Sequence, residues 1–237
     1  MLKAVAIIAS LVLGGFSATA ARADGVLDNY KPGTAFETEI KLPLFSAPLP
    51  KGKWKIIYAH ETLNNNKNKL IEIGLTLTDR DSVTDFLQIN TNVDATNNGW
   101  EANAICARKD LVHIFVVSNT IEQQDCYGVN HYVWKDESEF KPKLGANPQQ
   151  YARFAGLTFP STTLARVFRL SNRSAFVAMQ HHVNSAVYGV KDQKTGWNES
   201  LWHKDKIAED SKRLIAADQA RDEAETWYLK AKMVGYF

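Results

Sequence analysis

Short segments of alternating hydrophobic and polar residues fill the first half of the chain. The clearest are residues 36–42, 54–59, 70–78 and 83–90. Such alternation is typical of strands that bury one face, and turn-forming residues follow each segment. Their spacing favours an antiparallel sheet that closes as a sandwich, a barrel or a half-barrel. Pro43, Pro48 and Pro50 predict that regular structure stops between residues 42 and 50.

Two further segments after the middle of the chain predict a second pair of strands. Residues 164–170 and 175–183 are joined by the polar sequence at 171–174. An alternative helix start at Ser161 or Thr162 would make residues 164–168 helical instead.

A short helix is predicted just before this pair of strands. Asn147 is a capping residue, Pro148 suits the first helical position, and Gly156 is a stop signal. Two turns are marginal in isolation, so packing of Tyr151 and Phe154 is expected to hold the helix.

A change to helical spacing predicts a long C-terminal helix over about residues 204–232. Its apolar stripe is rich in alanine, which permits a close approach to a sheet. The stripe consists of Ile207, Leu214, Ala217, Ala220, Ala224, Trp227 and Ala231. Charged residues occupy the other face: Lys212, Arg213, Arg221, Asp222, Glu223 and Glu225. The default interpretation is a helix that covers the sheet; the alternative is a helix that binds a partner protein.

The N-terminus has the form of a secretory signal peptide. Lys3 precedes an apolar run over residues 4–13, and the sequence Ala-Arg-Ala at 21–23 predicts cleavage between Ala23 and Asp24. The apolar run is shorter than the roughly 20 residues that span a bilayer. We therefore expect a soluble, periplasmic or secreted chain, with residues 24–237 forming a single α+β domain.

Export makes a disulfide between Cys106 and Cys126 the expected state of the two cysteines. A bridge that closes a loop of about 20 residues stabilises a fold by roughly 3 kcal/mol. Redox-active pairs have C-x-x-C spacing, which is absent here.

The bridge conflicts with the simplest arrangement of its surroundings. Residues 100–106, 111–118 and 125–133 would form a three-stranded meander, with the cysteines at opposite ends of the middle strand, about 20 Å apart. A disulfide needs Cα atoms within about 7 Å. We therefore expect the first and third segments to approach each other directly, while the middle one passes outside them or bends sharply.

Charge and composition exclude few functions. The chain has 28 basic and 26 acidic residues, but Lys3 and Arg22 belong to the signal peptide, so the mature chain has 26 of each. This neutrality gives no support for binding to nucleic acid. No phosphate-binding or dinucleotide glycine motif occurs, so no cofactor is predicted.

The histidines are the first candidates for chemistry. His181 and His182 are adjacent, so on a strand their side chains point to opposite faces and cannot chelate one metal together. The remaining candidates are His60, His113 and His131, which lack metal-ligand spacing, so no metal site is predicted.

A carbohydrate-binding cleft and a hydrolase site are weaker alternatives. Asp125 lies near Trp100, Tyr127 and Trp134 in sequence, and aromatic rings of this kind stack on sugars, although they are more often core residues. The serine-hydrolase motif G-x-S-x-G is absent, and no catalytic residue is predicted. The favoured function is a non-enzymatic envelope protein that binds a ligand or partner; the alternative is a hydrolase of envelope polymers or sugars.

Overall fold

An antiparallel sheet with helices against it forms the core of the computed structural model, which describes residues 25–101, 104–134, 147–190 and 196–234. The predicted signal peptide, residues 1–23, and its cleavage site between Ala23 and Asp24 lie outside these residues. The strands are β1 (Ala35–Phe36), β2 (Glu39–Lys41), β3 (Ser46–Pro48), β4 (Trp54–Leu63), β5 (Lys69–Asp79), β6 (Ser82–Asn92), β7 (His113–Asn119), β8 (Gln124–Val133), β9 (Thr162–Ser171) and β10 (Phe176–Asn184). The helices are α1 (Ala104–Ala107), α2 (Pro148–Phe154), α3 (Lys204–Ile207) and α4 (Ser211–Val234).

Eight strands form one sheet in the order β1-β4-β5-β6-β10-β9-β8-β7. Every neighbouring pair is antiparallel. A separate two-stranded sheet joins β2 to β3. The predicted α+β class, an antiparallel sheet with a short helix and a C-terminal helix on one face, is confirmed.

The two faces of the main sheet have different contents. One face, here called the helix face, carries the largest apolar core, with residues such as Ile73, Phe168 and Met179 fully buried. The small β2–β3 sheet and α4 belong to this core through Ile40, Ala220 and Trp227. The opposite face carries a smaller cluster around Tyr58 and Phe86, against which α2 packs. Alternation along each strand separates the two sets.

The proline-rich segment departs from the sequence prediction. Residues 36–42 are not one strand: β1 pairs with β4 in the main sheet, and β2 pairs with β3. Regular structure also does not stop at residue 42, because Ser46–Pro48 forms β3. Pro48 lies at the end of this short strand, where the missing N–H costs little.

The region around the cysteines confirms the predicted bridge and corrects the predicted strands. Cys106 and Cys126 form a disulfide with Cα atoms 5.7 Å apart. Residues 104–107 form the helical turn α1 instead of a strand. β7 pairs with β8 as the outermost strand of the sheet, so the middle segment lies outside the bridge as expected. The meander fails because a helical turn brings Cys106 directly to β8.

The short helix α2 is confirmed, with one incorrect packing residue. The side chain of Asn147 accepts a hydrogen bond from Gln149 N at 3.0 Å, and Pro148 is the first helical residue. Tyr151 stacks on Tyr58 with ring centroids 4.6 Å apart. Phe154 is 79% exposed, so it does not hold the helix.

The pair of strands β9 and β10 is also confirmed, and the alternative helix over residues 164–168 is wrong. The C-terminal helix is interrupted, because Asp210 caps a new start by accepting a hydrogen bond from Lys212 N at 2.8 Å. Leu214 is 43% exposed, whereas Arg213 is buried and donates to Leu201 O at 2.7 Å. The other stripe residues are buried. In the part of the chain that the structure describes, no helix has an apolar run long enough to cross a membrane.

Candidate functional site

A cleft of about 760 Å³ opens between α4 and the helix face of the main sheet. We call it the α4 cleft. Its lining comes from three parts of the fold: the segment after β3, the strands β5, β6, β9 and β10, and one side of α4. The lining residues are Leu49, Pro50, Lys51, Leu77, Asp85, Arg166, His181, Ile215, Gln219, Asp222, Glu223, Thr226, Trp227 and Lys230.

His181 is the central polar residue of the cleft floor. Its Nε2 lies 2.8 Å from Asp85 Oδ1, and its Nδ1 lies 3.1 Å from an Nη atom of Arg166. The sheet register explains the cluster, because Arg166 is directly opposite His181 on β9. Asp85 lies two residues from Leu87, the partner of His181 on β6, and therefore on the same face.

The hydrogen bonds fix the protonation state of His181. A guanidinium can only donate, so Nδ1 of the ring must accept from Arg166 and Nε2 must carry the proton that is donated to Asp85. Burial lowers the pKa of His181 below its usual value, and the hydrogen bond to Asp85 opposes that effect. His181 is therefore a neutral ring whose two nitrogens are both engaged.

The polar network continues from the sheet to the helix. Arg166 also forms an ion pair with Glu223 of α4 and donates to the hydroxyl of Tyr188 at 3.1 Å. The Arg166 side chain is only 13% exposed, so this pair is well shielded on the sheet side. Asp85, His181, Arg166 and Glu223 thus form one continuous chain of hydrogen bonds and ion pairs across the cleft floor.

Two tryptophans enclose the imidazole of His181. The ring of Trp54 meets it edge-on at a centroid distance of 5.4 Å, and that of Trp227 does so at 5.9 Å. Trp227 is fixed in place by a 2.8 Å hydrogen bond from its Nε1 to Pro48 O. The polar floor is therefore held in a rigid aromatic frame.

The cleft lining is balanced in formal charge. Its basic residues are Lys51, Arg166 and Lys230, and its acidic residues are Asp85, Asp222 and Glu223. Leu49, Pro50, Leu77 and Ile215 add apolar walls. This combination suits an uncharged or zwitterionic molecule with an apolar part, because a strongly charged ligand would leave some lining charges unpaired.

The arrangement offers limited scope for acid–base or metal chemistry. A general base needs a free lone pair within reach of a substrate, and both nitrogens of His181 are occupied. Among the described residues, no group of three or more His, Cys, Asp and Glu side chains could hold a metal ion.

The other candidate histidines lie apart from the α4 cleft. His182 faces the opposite side of the sheet, as predicted, with Nδ1 3.1 Å from Thr163 Oγ1. His131 packs on the ring of Trp197 at 3.9 Å, and His60 lies beside Tyr58 at 5.9 Å. His113 is on the outermost strand β7. The structure therefore brings only His181 into the site.

The residues of the alternative carbohydrate-binding cleft do not converge. Asp125 is buried and hydrogen-bonded to Tyr228 and Lys232 of α4. Tyr127 packs against Tyr228 on the same face, whereas Trp134 packs against Phe86 on the opposite face. Trp100 lies against Phe176, with ring centroids 4.6 Å apart. Closeness in sequence misled the prediction, because successive residues of a strand point to opposite faces.

Sequence reasoning missed Asp85 and Arg166 as site residues and placed Glu223 only on the charged face of the helix. The one available signal was the pair of strands around residues 171–174, which suggests partners for His181 on β9. That signal is insufficient, because a shift in register by a single residue would replace Arg166 with a neighbour that faces away.

Comparison of the chain with protein-family models, with curated proteins and with solved structures finds no match.

Proposed function

We propose that the chain is an exported, periplasmic or secreted binding protein of the cell envelope, and that the α4 cleft binds a small uncharged or zwitterionic molecule. The signal-peptide pattern of residues 1–23 and the Cys106–Cys126 bridge support an oxidising compartment outside the cytoplasm. The cleft volume of about 760 Å³ lies in the range typical of small-molecule sites.

The observation that carries the proposal is that both nitrogens of His181 are engaged in hydrogen bonds, one with Arg166 and one with Asp85. Such a floor is pre-organised and rigid, which lowers the entropic cost of binding. A rival hydrolase is favoured only by the Asp85–His181 pair, since a carboxylate commonly orients a catalytic histidine. A catalytic base of this kind would accept a proton on Nδ1 of His181, but that nitrogen already accepts a hydrogen bond from Arg166.

The test is native mass spectrometry of the mature protein purified from its own compartment. Thr226→Trp places a bulky ring in the cleft, because Thr226 is an exposed lining residue of α4. Leu229→Trp is the matched control, since Leu229 is 49% exposed on the same helix and is not part of the lining. Thermal unfolding verifies that both variants fold.

We expect a non-covalently bound small molecule in the wild type and in Leu229→Trp, and its loss in Thr226→Trp. A wild-type mass with nothing bound, or equal retention in Thr226→Trp, would contradict the proposal. Hydrolysis of nitrophenyl esters or glycosides that disappears in Asp85→Asn would favour the hydrolase instead.

A further inference from the structure

A second, smaller pocket of about 260 Å³ lies around Arg169. We call it the Arg169 pocket. Arg169 follows Phe168, a helix-face residue of β9, so it points to the opposite face of the sheet from the α4 cleft. The pocket lining consists of Asn64, Asn65, Asn66, Leu70, Gly99, Trp100, Glu101, Arg169 and Phe176.

Arg169 is a buried cation without a carboxylate partner among the described residues. It is 6% exposed, and its Nε donates to Gln124 Oε1 at 2.6 Å. Its guanidinium carbon lies 3.9 Å from the ring centroid of Phe176. Burial lowers the pKa of Arg169 to about 9, the direction expected of a charge that has lost water without gaining an anion.

Trp100, a second residue of the pocket lining, carries a buried N–H without a partner in the described part of the chain. Its residue is 5% exposed, and its buried Nε1 has no acceptor among the described residues. The rings of Trp100 and Phe176 are in contact, so the indole and the guanidinium of Arg169 share one aromatic neighbour. Buried N–H groups normally find a partner, so two incompletely satisfied donors in one pocket indicate a missing acceptor.

The wall that carries Trp100 is held firmly in place. Gln124 Nε2 donates to Trp100 O at 2.9 Å and to Glu101 O at 2.6 Å. Cys126 is the partner of Arg169 in the β8–β9 register, and its disulfide ties residue 106 to the same place. The bridge and Gln124 therefore fix the distance between the wall and Arg169.

We propose that the Arg169 pocket binds the carboxylate of a small monocarboxylate with an apolar tail. The free Nη hydrogens of Arg169 match a carboxylate in a two-pronged arrangement, and Trp100 Nε1 provides a further donor. Leu70, Trp100 and Phe176 surround the tail. Glu101 also lines the pocket, and its negative charge disfavours an anion with two charges, such as phosphate, more strongly than a monocarboxylate.

The direct test is calorimetric titration of the mature protein with butyrate, with butanamide and with inorganic phosphate. Butyrate is expected to bind with a dissociation constant of about 1 mM, a plausible value for six heavy atoms. Butanamide and phosphate are expected to bind at least about tenfold more weakly, because they lack the charge or carry too much of it.

Variants then locate the site. Trp100→Phe keeps an aromatic ring but removes the donor, so butyrate should bind about tenfold more weakly. Arg169→Lys should weaken butyrate binding by at least as much, because the planar guanidinium is lost. Arg173→Lys is the matched control: Arg173 is exposed and paired with Glu122, so its replacement should leave binding unchanged. Reduction of the Cys106–Cys126 bridge should also weaken binding, since it releases the Trp100 wall.

Each contrary result has a clear meaning. No saturation up to about 50 mM butyrate overturns the proposal. Phosphate binding as strong as butyrate binding indicates an adventitious ion only, and equal binding of butanamide excludes a role for the charge. Unchanged affinity in folded Trp100→Phe and Arg169→Lys places the binding elsewhere. None of these results bears on the α4 cleft, which the binding-protein proposal concerns.

Discussion

Gly99 is a residue at which the fold requires the absence of a side chain. Its φ is +70°, and a Cβ built there would lie 2.1 Å from the backbone oxygen of Ile121. The same oxygen accepts a hydrogen bond from Trp100 N at 2.9 Å, so the backbone at residues 99–100 packs directly against the backbone at Ile121. Gly99 therefore allows the backbone path that places Trp100 in the wall of the Arg169 pocket.

A comparison of two glycine substitutions separates backbone strain from this contact. Gly99→Ala and Gly156→Ala share nearly the same backbone angle, +70° against +73°, but nothing lies within 4 Å of a Cβ at Gly156. We expect Gly156→Ala to lower the free energy of unfolding by about 1 kcal/mol, the ordinary cost of a left-handed alanine. Gly99→Ala should cost about 1–3 kcal/mol more, because backbone must move.

Urea unfolding of the two variants and the wild type measures this difference. If Gly99→Ala and Gly156→Ala lower the free energy of unfolding equally, the backbone at Ile121 moves without cost. The contact between Gly99 and Ile121 would then not determine the backbone path.

At the scale of the element, α4 is attached to the sheet by small residues and a few polar bonds. Ala216, Ala217, Ala220, Ala224 and Ala231 are all buried, which lets the helix approach closely. Four polar contacts then fix its position: Tyr228 with Asp125, Lys232 with Asp125, Glu223 with Arg166, and Trp227 with Pro48. The helix is thus an integral part of the core.

Enlarging one of these alanines should separate the helix from the sheet. Ala220 is fully buried, so Ala220→Leu should lower the free energy of unfolding by about 1–3 kcal/mol through overpacking. Lys212→Leu adds a leucine at an exposed position of the same helix and should change stability by no more than about 0.5 kcal/mol. Thermal or urea unfolding gives both values. Similar stability in the two variants would favour the alternative of a loosely attached, partner-binding helix.

At the scale of the whole molecule, the two faces of the sheet keep histidines neutral in different surroundings. On the helix face, burial lowers the pKa of His131 to about 4. On the opposite face, burial lowers the pKa of His182 to about 3, with the neighbouring His181 acting in the same direction. Phe86, Tyr132 and Trp134 surround the His182 ring. The folded state therefore favours the unprotonated form of both histidines.

This arrangement predicts that the protein loses stability in mild acid. In the unfolded chain a histidine takes up a proton below about pH 6.5. In the folded chain the pKa is about 4 for His131 and about 3 for His182, so both rings take up a proton only at lower pH. The unfolded state therefore binds more protons in this window, so stability is complete above about pH 6.5 and declines as the pH falls. Between about pH 7.5 and about pH 5, each histidine should cost about 2 kcal/mol.

Urea unfolding of the mature chain at the two pH values tests this expectation. His182→Phe removes one of the buried histidines whose pKa is lowered and should reduce the difference by about 2 kcal/mol. A difference that is absent in the wild type, or unchanged in the variant, would show that the rings accept protons without loss of the fold.

Features that depend on local spacing could be predicted from the amino-acid sequence. Alternation along the chain is a property of each strand, so β4, β5, β6, β9 and β10 were predictable. The Asn147 cap and Pro148 likewise identified α2, and the stripe of Ala217, Ala220, Ala224, Trp227 and Ala231 identified the buried side of α4. The Cys106–Cys126 pair was predictable because the chain contains no other cysteine.

Tertiary structure alone decided where functional side chains meet. Arg166 lies opposite His181 only in one register of β9 against β10, and Glu223 reaches Arg166 only because α4 crosses that point of the sheet. The Arg169 pocket likewise needs Trp100, from a distant segment, placed beside β9 by the bridge and Gln124. Periodicity fixes which face a residue occupies, but it carries no information about register or helix placement, and both candidate sites depend on these.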